Sequence, residues 1–211
     1  MIRRQPLQKR AKVSVEAIIE AGFISLAKNG MANTTTNHIA EIAGISPGTL
    51  YQYFANKEAV YHAMERHFVD DILAMLDSAM LEFIQMDIRG GVTLLLHRLT
   101  ELLMQNDGRY LKYTRQSIHT FVATLSQHTH EVEHKLQALI MQYVMHHPEL
   151  MRIPSIPTFN YLIINGGVLI IVRYLSDAHP AITLEQLIDG LGNMAVRYIA
   201  GELQELQIQA G

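Results

Sequence analysis

The stretch Gly44-Ile45-Ser46-Pro47-Gly48-Thr49-Leu50-Tyr51-Gln52-Tyr53-Phe54 constrains this chain more than any other. Gly44 accepts the left-handed conformation that ends a helix. Ser46-Pro47 opens another at once, because serine caps free amides and proline is tolerated in the first turn. The helix that ends at Gly44 carries Ile39, Ala40, Ile42 and Ala43, and Thr35 within the run Thr34-Thr35-Thr36 is its expected cap. Two short helices separated by a turn of about three residues must cross steeply instead of lying side by side. Upstream, Val15, Ile18, Ile19, Phe23, Leu26 and Ala27 fall at steps of three and four, so one helical face is apolar, and Asn29-Gly30 stops that helix. Ile39, Ala43, Ile45, Leu50 and Phe54 are expected to close a small core against it.

On a helical wheel of about 100° per residue, Leu50 and Phe54 share the inner face of the last short helix. Gly48, Thr49 and Gln52 point outward, with Tyr51 and Tyr53 on the flanks. That outward face is small, hydrogen-bonding and aromatic. Gly48 allows close approach of backbone to backbone, and the amides at a helix start can donate to phosphate. Gln52 has the donor–acceptor pair that matches adenine in the major groove. The tyrosine hydroxyls and Lys57 suit phosphate oxygens, which position a helix without reading sequence. The alternative is that the two tyrosines are only buried ring anchors.

Charge is distributed unevenly. Residues 1–68 hold eight Lys/Arg against five Asp/Glu, and the remainder holds nine against fifteen, within a net charge of −3. The first twelve residues carry Arg3, Arg4, Lys9, Arg10 and Lys12 with no acid. A basic arm on an acidic body suits a protein of which one end meets phosphate; a solvated tail is the alternative. With 49% hydrophobic and 18% charged residues the composition is globular, and with no cysteine it offers neither disulfide nor thiolate chemistry, as fits a reducing cytoplasm. The basic N-terminus lacks the apolar core of a secretory signal. The most apolar run, residues 161–172, is shorter than the ~20 residues that span a bilayer, so no membrane partner is expected.

The string AIIEAGFISLAKNGMANTTTNHIAEIAGISPGTLYQYFANKEAV resembles the N-terminal domain of the TetR family of bacterial repressors, most specifically in IAEIAGISPGTLYQYFANKEAV. The likeness covers about a fifth of the chain. It implies an all-α fold: a three-helix helix-turn-helix domain with its basic arm over residues 1–58, joined by a long helix to an α-helical effector-binding and dimerisation domain over 59–211. It implies a cytoplasmic homodimer on double-stranded DNA, reading a palindrome with recognition helices about 34–36 Å apart or a multiple of that. A small molecule in the second domain would release the DNA. Carried over by position, the contact residues are Thr35, Asn37, Ser46, Pro47, Gly48, Thr49, Tyr51, Gln52, Tyr53 and Lys57. The chain departs from the family where many members have an acid in the first turn of helix two: here it has His38, beside Asn37 at a position that is often basic.

Beyond residue 57 a long helix is expected through about Met86. Breaks are then expected at Arg89-Gly90-Gly91, Asn106-Asp107-Gly108, His147-Pro148, Pro154 to Pro157 and His179-Pro180. Residues 159–175 are apolar nearly all round, and Leu184, Leu187, Ile188, Leu191, Ala195, Tyr198 and Ile199 form a stripe; by resemblance these last two helices dimerise. For the effector, polar tips on an apolar background suggest a lining of Tyr113, Gln116, His119, Thr120, Phe121 and Tyr161 around an apolar or aromatic molecule.

One pattern points elsewhere. His130-Glu131-Val132-Glu133-His134 matches H-E-x-x-H, in which two histidines one turn apart hold zinc and the glutamate is a general base, as in a zinc peptidase. Glu149 is the conceivable third ligand and His128 lies near in sequence. The segment is polar, and Glu133 puts a charge between the histidines where a zinc helix wants an apolar residue. The expectation is therefore a regulator with no catalytic residues, metal or cofactor.

Overall fold

Short-range capping sets the pattern of the N-terminal helices. In the computed structural model, the first helix, α1 (Gln5–Asn33), is interrupted at Gly30, whose φ of 77° and ψ of 162° suit a residue without Cβ. Thr35 takes an extended conformation and its Oγ1 accepts from the His38 amide at 3.2 Å, opening α2 (Thr36–Ile42). Gly44, at φ 68°, turns the chain. Ser46 Oγ accepts from the Thr49 amide at 3.0 Å to open α3 (Pro47–Tyr53). Asn56 Oδ1 accepts from the Ala59 amide at 2.8 Å at the start of α4 (Lys57–Phe83). These caps satisfy amides that the first turn of a helix leaves without partners.

The remaining elements are α5 (Ile88–Ala123), α6 (Gln127–His146), a 3₁₀ turn (Pro148–Arg152), α7 (Ile156–Leu175) and α8 (Leu184–Gln209). The structure describes the backbone of residues 5–123 and 127–209, and side chains of residues 11–116 and 130–208. Among the described residues the regular structure is helical and no strand occurs.

The expected break at Arg89-Gly90-Gly91 is a correction: those residues lie inside α5. The chain turns earlier, and Asp87 Oδ1 accepts from the Gly90 amide at 2.7 Å, capping the new helix. The glycine at 91 serves packing, because a Cβ there would lie 2.8 Å from the Phe83 ring. The break at Asn106-Asp107-Gly108 does occur, as three successive residues at φ 49°, 60° and 68°. Asparagine, aspartate and glycine tolerate that left-handed region better than other residues. The apolar run of residues 161–172 belongs to a 20-residue helix, long and apolar enough to cross a membrane, so its length excludes nothing.

Two compact units emerge: Met1–Asp71 with Gln105–His128, and Ile72–Met104 with Thr129–Gly211. They differ from a division at residue 58, because the first part of α4 and the second part of α5 pack with the N-terminal helices. In the first unit, Ile18, Phe23, Leu26, Ile39, Leu50, Val60 and Met64 are buried, while Ala43, Ile45 and Phe54 are only half-buried. Close packing of α1 on α4 is visible at Gly22, where a Cβ would meet Met64 Sδ at 2.6 Å. In the second unit, Leu76, Phe83, Leu139, Tyr143, Leu150 and Ile199 form the core. Ile188, Leu191, Ala195 and Ile199 are the buried face of α8.

Candidate nucleic-acid interface and effector cavity

Leu50 fixes α3. It is fully buried, whereas Tyr51, Gln52 and Tyr53 are exposed on the same short helix. One buried anchor therefore turns the rest of the helix to solvent. Of the ten contact residues expected from the sequence, Thr35, Asn37, Ser46, Pro47, Gly48, Tyr51, Gln52 and Tyr53 are exposed, and Thr49 and Lys57 are half-buried. Tyr51 and Tyr53, 53% and 37% exposed, are not buried ring anchors.

Several of these side chains are already positioned. The Tyr51 and Thr36 hydroxyls lie 3.0 Å apart, tying α3 to the first turn of α2. Ser46 Oγ and Thr49 Oγ1 lie 2.9 Å apart beside the cap. Lys57 Nζ stands 5.7 Å from the centre of the Tyr61 ring. The Tyr61 hydroxyl donates to the Met31 carbonyl at 2.8 Å, and burial raises its pKa. A Cβ at Gly48 would meet Ser46 Oγ at 3.7 Å, an ordinary contact, so internal packing does not demand glycine there. The basic side chains of Arg3, Arg4, Lys9 and Arg10 lie outside the described residues.

Beneath this surface lies a polar network that the sequence did not disclose. Arg109, directly after the left-handed turn, pairs with Glu20 of α1 and donates to the Tyr110 hydroxyl at 3.0 Å. That hydroxyl donates to Asp71 Oδ2 at 2.5 Å and lies 2.9 Å from His67 Nδ1. Tyr110 is fully buried, and burial, with the bond to Asp71, pushes its pKa far above the ordinary value. Its ring sits 5.3 Å from that of Phe23 and 4.6 Å from that of Phe68.

Of the six expected effector residues, Tyr113 and Gln116 lie in the first unit and Tyr161 in the second. Tyr113 is buried in the first unit, its ring 5.6 Å from Phe23 and 5.9 Å from Phe68, with a pKa raised mainly by burial. Gln116 is committed to α1 in the same unit: its oxygen accepts from the Met31 amide at 2.7 Å and its nitrogen donates to the Leu26 carbonyl at 3.2 Å. Tyr161, in the second unit, is 71% exposed. The side chains of His119, Thr120 and Phe121 lie outside the described residues.

The second unit holds a cavity of about 140 Å³ instead, walled by α4, α5, α6 and α7 through residues such as Leu76, Leu96, Leu136, Phe159 and Ile163. A neighbouring lobe of about 50 Å³ shares Phe83, Val92, Ile140, Phe159 and Asn160 with it. Its wall includes Tyr143, whose hydroxyl donates to the Met86 carbonyl at 3.0 Å. The sequence signal for these walls is ordinary helical periodicity, indistinguishable from a solid core.

Among the described residues the H-E-x-x-H segment is not arranged as a metal centre. His130 and His134 are exposed on α6, and His130 Nδ1 lies 3.4 Å from the Glu133 carboxylate. Glu149, the conceivable third ligand, lies 3.6 Å from His147 Nδ1 instead. Among the described residues no three His, Cys, Asp or Glu are arranged to hold a metal ion; the His128 side chain lies outside them.

The capped helices and their exposed polar face form a helix-turn-helix, the arrangement in which DNA-binding domains place a recognition helix, within an all-α fold. Residues 18–64 match the model of bacterial regulatory proteins of the tetR family. The likeness to that family is carried by the N-terminal domain. The HTH-type transcriptional regulator RutR of Escherichia coli is 39% identical over 61 residues, which is 29% of this chain and 29% of RutR. The match thus spans less than a third of that relative. Over most of the chain the fold resembles the fatty acid degradation regulator FadR of Bacillus halodurans, with a TM-score of 0.68, 17% identity and 86% and 93% of the two chains covered. A TetR family transcription regulator of Marinobacter aquaeolei VT8 gives a TM-score of 0.63 at 22% identity, over 89% and 96%. At these identities the likeness is one of fold.

Proposed function

We propose that the protein is a cytoplasmic, non-enzymatic transcriptional regulator: a homodimeric repressor that leaves a palindromic operator when a small molecule fills its second domain. The observation that carries this reading is α3, anchored by buried Leu50 and presenting Gln52, Tyr51, Tyr53 and the bare backbone of Gly48 to solvent. Residues 1–58 serve as the reader and 59–211 as the sensing and dimerising part. Gln52 reads a base edge, while Thr35, Ser46, Thr49, Tyr51, Tyr53 and Lys57 hold phosphate and set the register. Asn37 and Pro47 flank that contact.

A second copy explains the surface of α7. Tyr161 and Leu162, 71% and 54% exposed, lie with Leu169 and Ile170 on an apolar helix that leaves much of its side-chain surface to solvent. Large contiguous apolar surfaces of this kind mark interaction sites. Pairing two chains through α7 and α8 would cover it and supply the two readers a palindrome requires.

The cavity of the second unit is the effector site in this reading, in place of the residues first expected from the sequence. The effector must bind the released state better than the DNA-bound state. Selection of genomic fragments by the purified protein, followed by footprinting, tests the reading. A symmetric footprint with half-sites one helical turn apart, or a multiple of it, is expected. Failure to enrich any fragment over nonspecific DNA would contradict it.

A further inference from the structure

The walls of the cavity specify the charge of its occupant, an inference that rests on the effector reading above. Among the described residues, fourteen line the larger lobe; thirteen are apolar and none is charged. Asn160 is the one polar side chain among them, and it also lines the smaller lobe. It lies in the second turn of α7, half-buried, and its amide makes no hydrogen bond within the described residues. The other polar group on the walls, the Tyr143 hydroxyl, is committed to the Met86 carbonyl. Among the described side chains the pair of lobes therefore offers a single uncommitted donor–acceptor group, at the place where they meet.

An ion in this space would shed its water with no opposite charge and no ring of donors to replace it, which is strongly unfavourable. A neutral molecule loses little. Size narrows the class further: an apolar cavity of about 150 Å³ stays dry and admits a molecule the size of benzene, and the larger lobe has about 140 Å³. We infer that the ligand is an uncharged, compact hydrophobic molecule carrying one hydroxyl or carbonyl group, its apolar body in the larger lobe and its polar group on the Asn160 amide. Carboxylates, phosphates and amines of the same size are excluded from it.

The test uses four probes of one size on the full chain: toluene, benzyl alcohol, benzoate and benzylammonium, with Kd measured by calorimetry. Toluene and benzyl alcohol are expected to bind, and each charged probe to bind about 100-fold more weakly than the alcohol or worse. Leu99→Phe, which fills the larger lobe, should abolish binding of both neutral probes. Asn160→Leu leaves the alcohol's hydroxyl without a partner and should raise the ratio of the alcohol Kd to the toluene Kd by about tenfold. Chemical shifts of the Met75 methyl group, on the cavity wall, should move with either neutral probe. Charged probes within tenfold of the alcohol, an unchanged ratio in Asn160→Leu, or no binding of any probe to the unmodified chain would overturn the inference. Selective binding of the neutral probes without any change in operator affinity would uphold the ligand class and contradict the effector reading instead.

Discussion

The Gln116 side chain holds the Met31 amide at 2.7 Å across 85 residues of sequence. With its second bond, to the Leu26 carbonyl at 3.2 Å, it takes up two backbone groups beside the Gly30 kink in α1. Both bonds lie inside the first compact unit, so the segment after the left-handed turn braces the helix on which α2 packs. Gln116→Leu keeps the bulk and removes both bonds. It should lower stability by about 1–2 kcal/mol, read as a shift in the denaturant midpoint. Gly30→Ala, forced to φ 77°, should cost about 1 kcal/mol by the same measurement.

Ser46 is a helix cap and an expected phosphate contact, and the two roles separate experimentally. Ser46→Ala should destabilise the fold by about 1 kcal/mol through loss of the cap. Ser46→Asp keeps the cap but adds a negative charge where phosphate is expected. It should retain stability and still lose DNA binding. Unimpaired binding by the aspartate variant would remove Ser46 from the interface.

Glu20 and Arg109 form an ion pair whose arginine side chain is only 13% exposed. Removing one partner from such a pair leaves a poorly solvated charge, whereas removing both does not. Glu20→Gln alone should be destabilising by about 1–2 kcal/mol, because Asp71 and Tyr110 still face the guanidinium. In a double-mutant cycle, Glu20→Gln with Arg109→Met should be milder than the sum of the single changes. Additive effects would show the pair to be uncoupled.

Alkaline pH should weaken the fold through its tyrosines. Burial, with the charges of Asp87 and Glu149, pushes the Tyr143 pKa up from 10.0 to about 12. The unfolded chain therefore releases this proton more readily than the folded one. The contribution is complete below pH 10 and is lost as pH rises from 10 towards 12. Tyr110 and Tyr113 shift in the same direction. Stability measured between pH 9 and 12 should fall, and Tyr143→Phe should make the fall shallower. A curve unchanged in the variant would contradict this assignment.

Local signals carried the caps and the turn, and long-range packing was not legible in the same way. Thr35, Ser46 and Gly44 act within three or four residues of themselves, so caps and turn were readable along the chain. The partners of Gln116 were not legible, because nothing in its own helix reveals that they lie in α1. Gly90-Gly91 was misread as a break, because glycine selected for the Phe83 ring looks like glycine selected for a turn. The cavity was invisible for a related reason: its walls come from four helices whose apolar faces would read the same if they met without a gap.

The central claim is that α3 reads DNA sequence, and Gln52 tests it most directly. Its side chain is exposed, so Gln52→Ala should leave the thermal midpoint unchanged. On DNA flanking the protein's own gene, or on a fragment selected from the genome, an anisotropy titration with excess nonspecific competitor should give saturable binding that weakens with salt. Gln52→Ala should weaken it by about 1–3 kcal/mol while leaving nonspecific binding as it was. Equal loss on operator and competitor would make Gln52 a backbone contact only, and binding that competitor abolishes on every selected fragment would contradict the account.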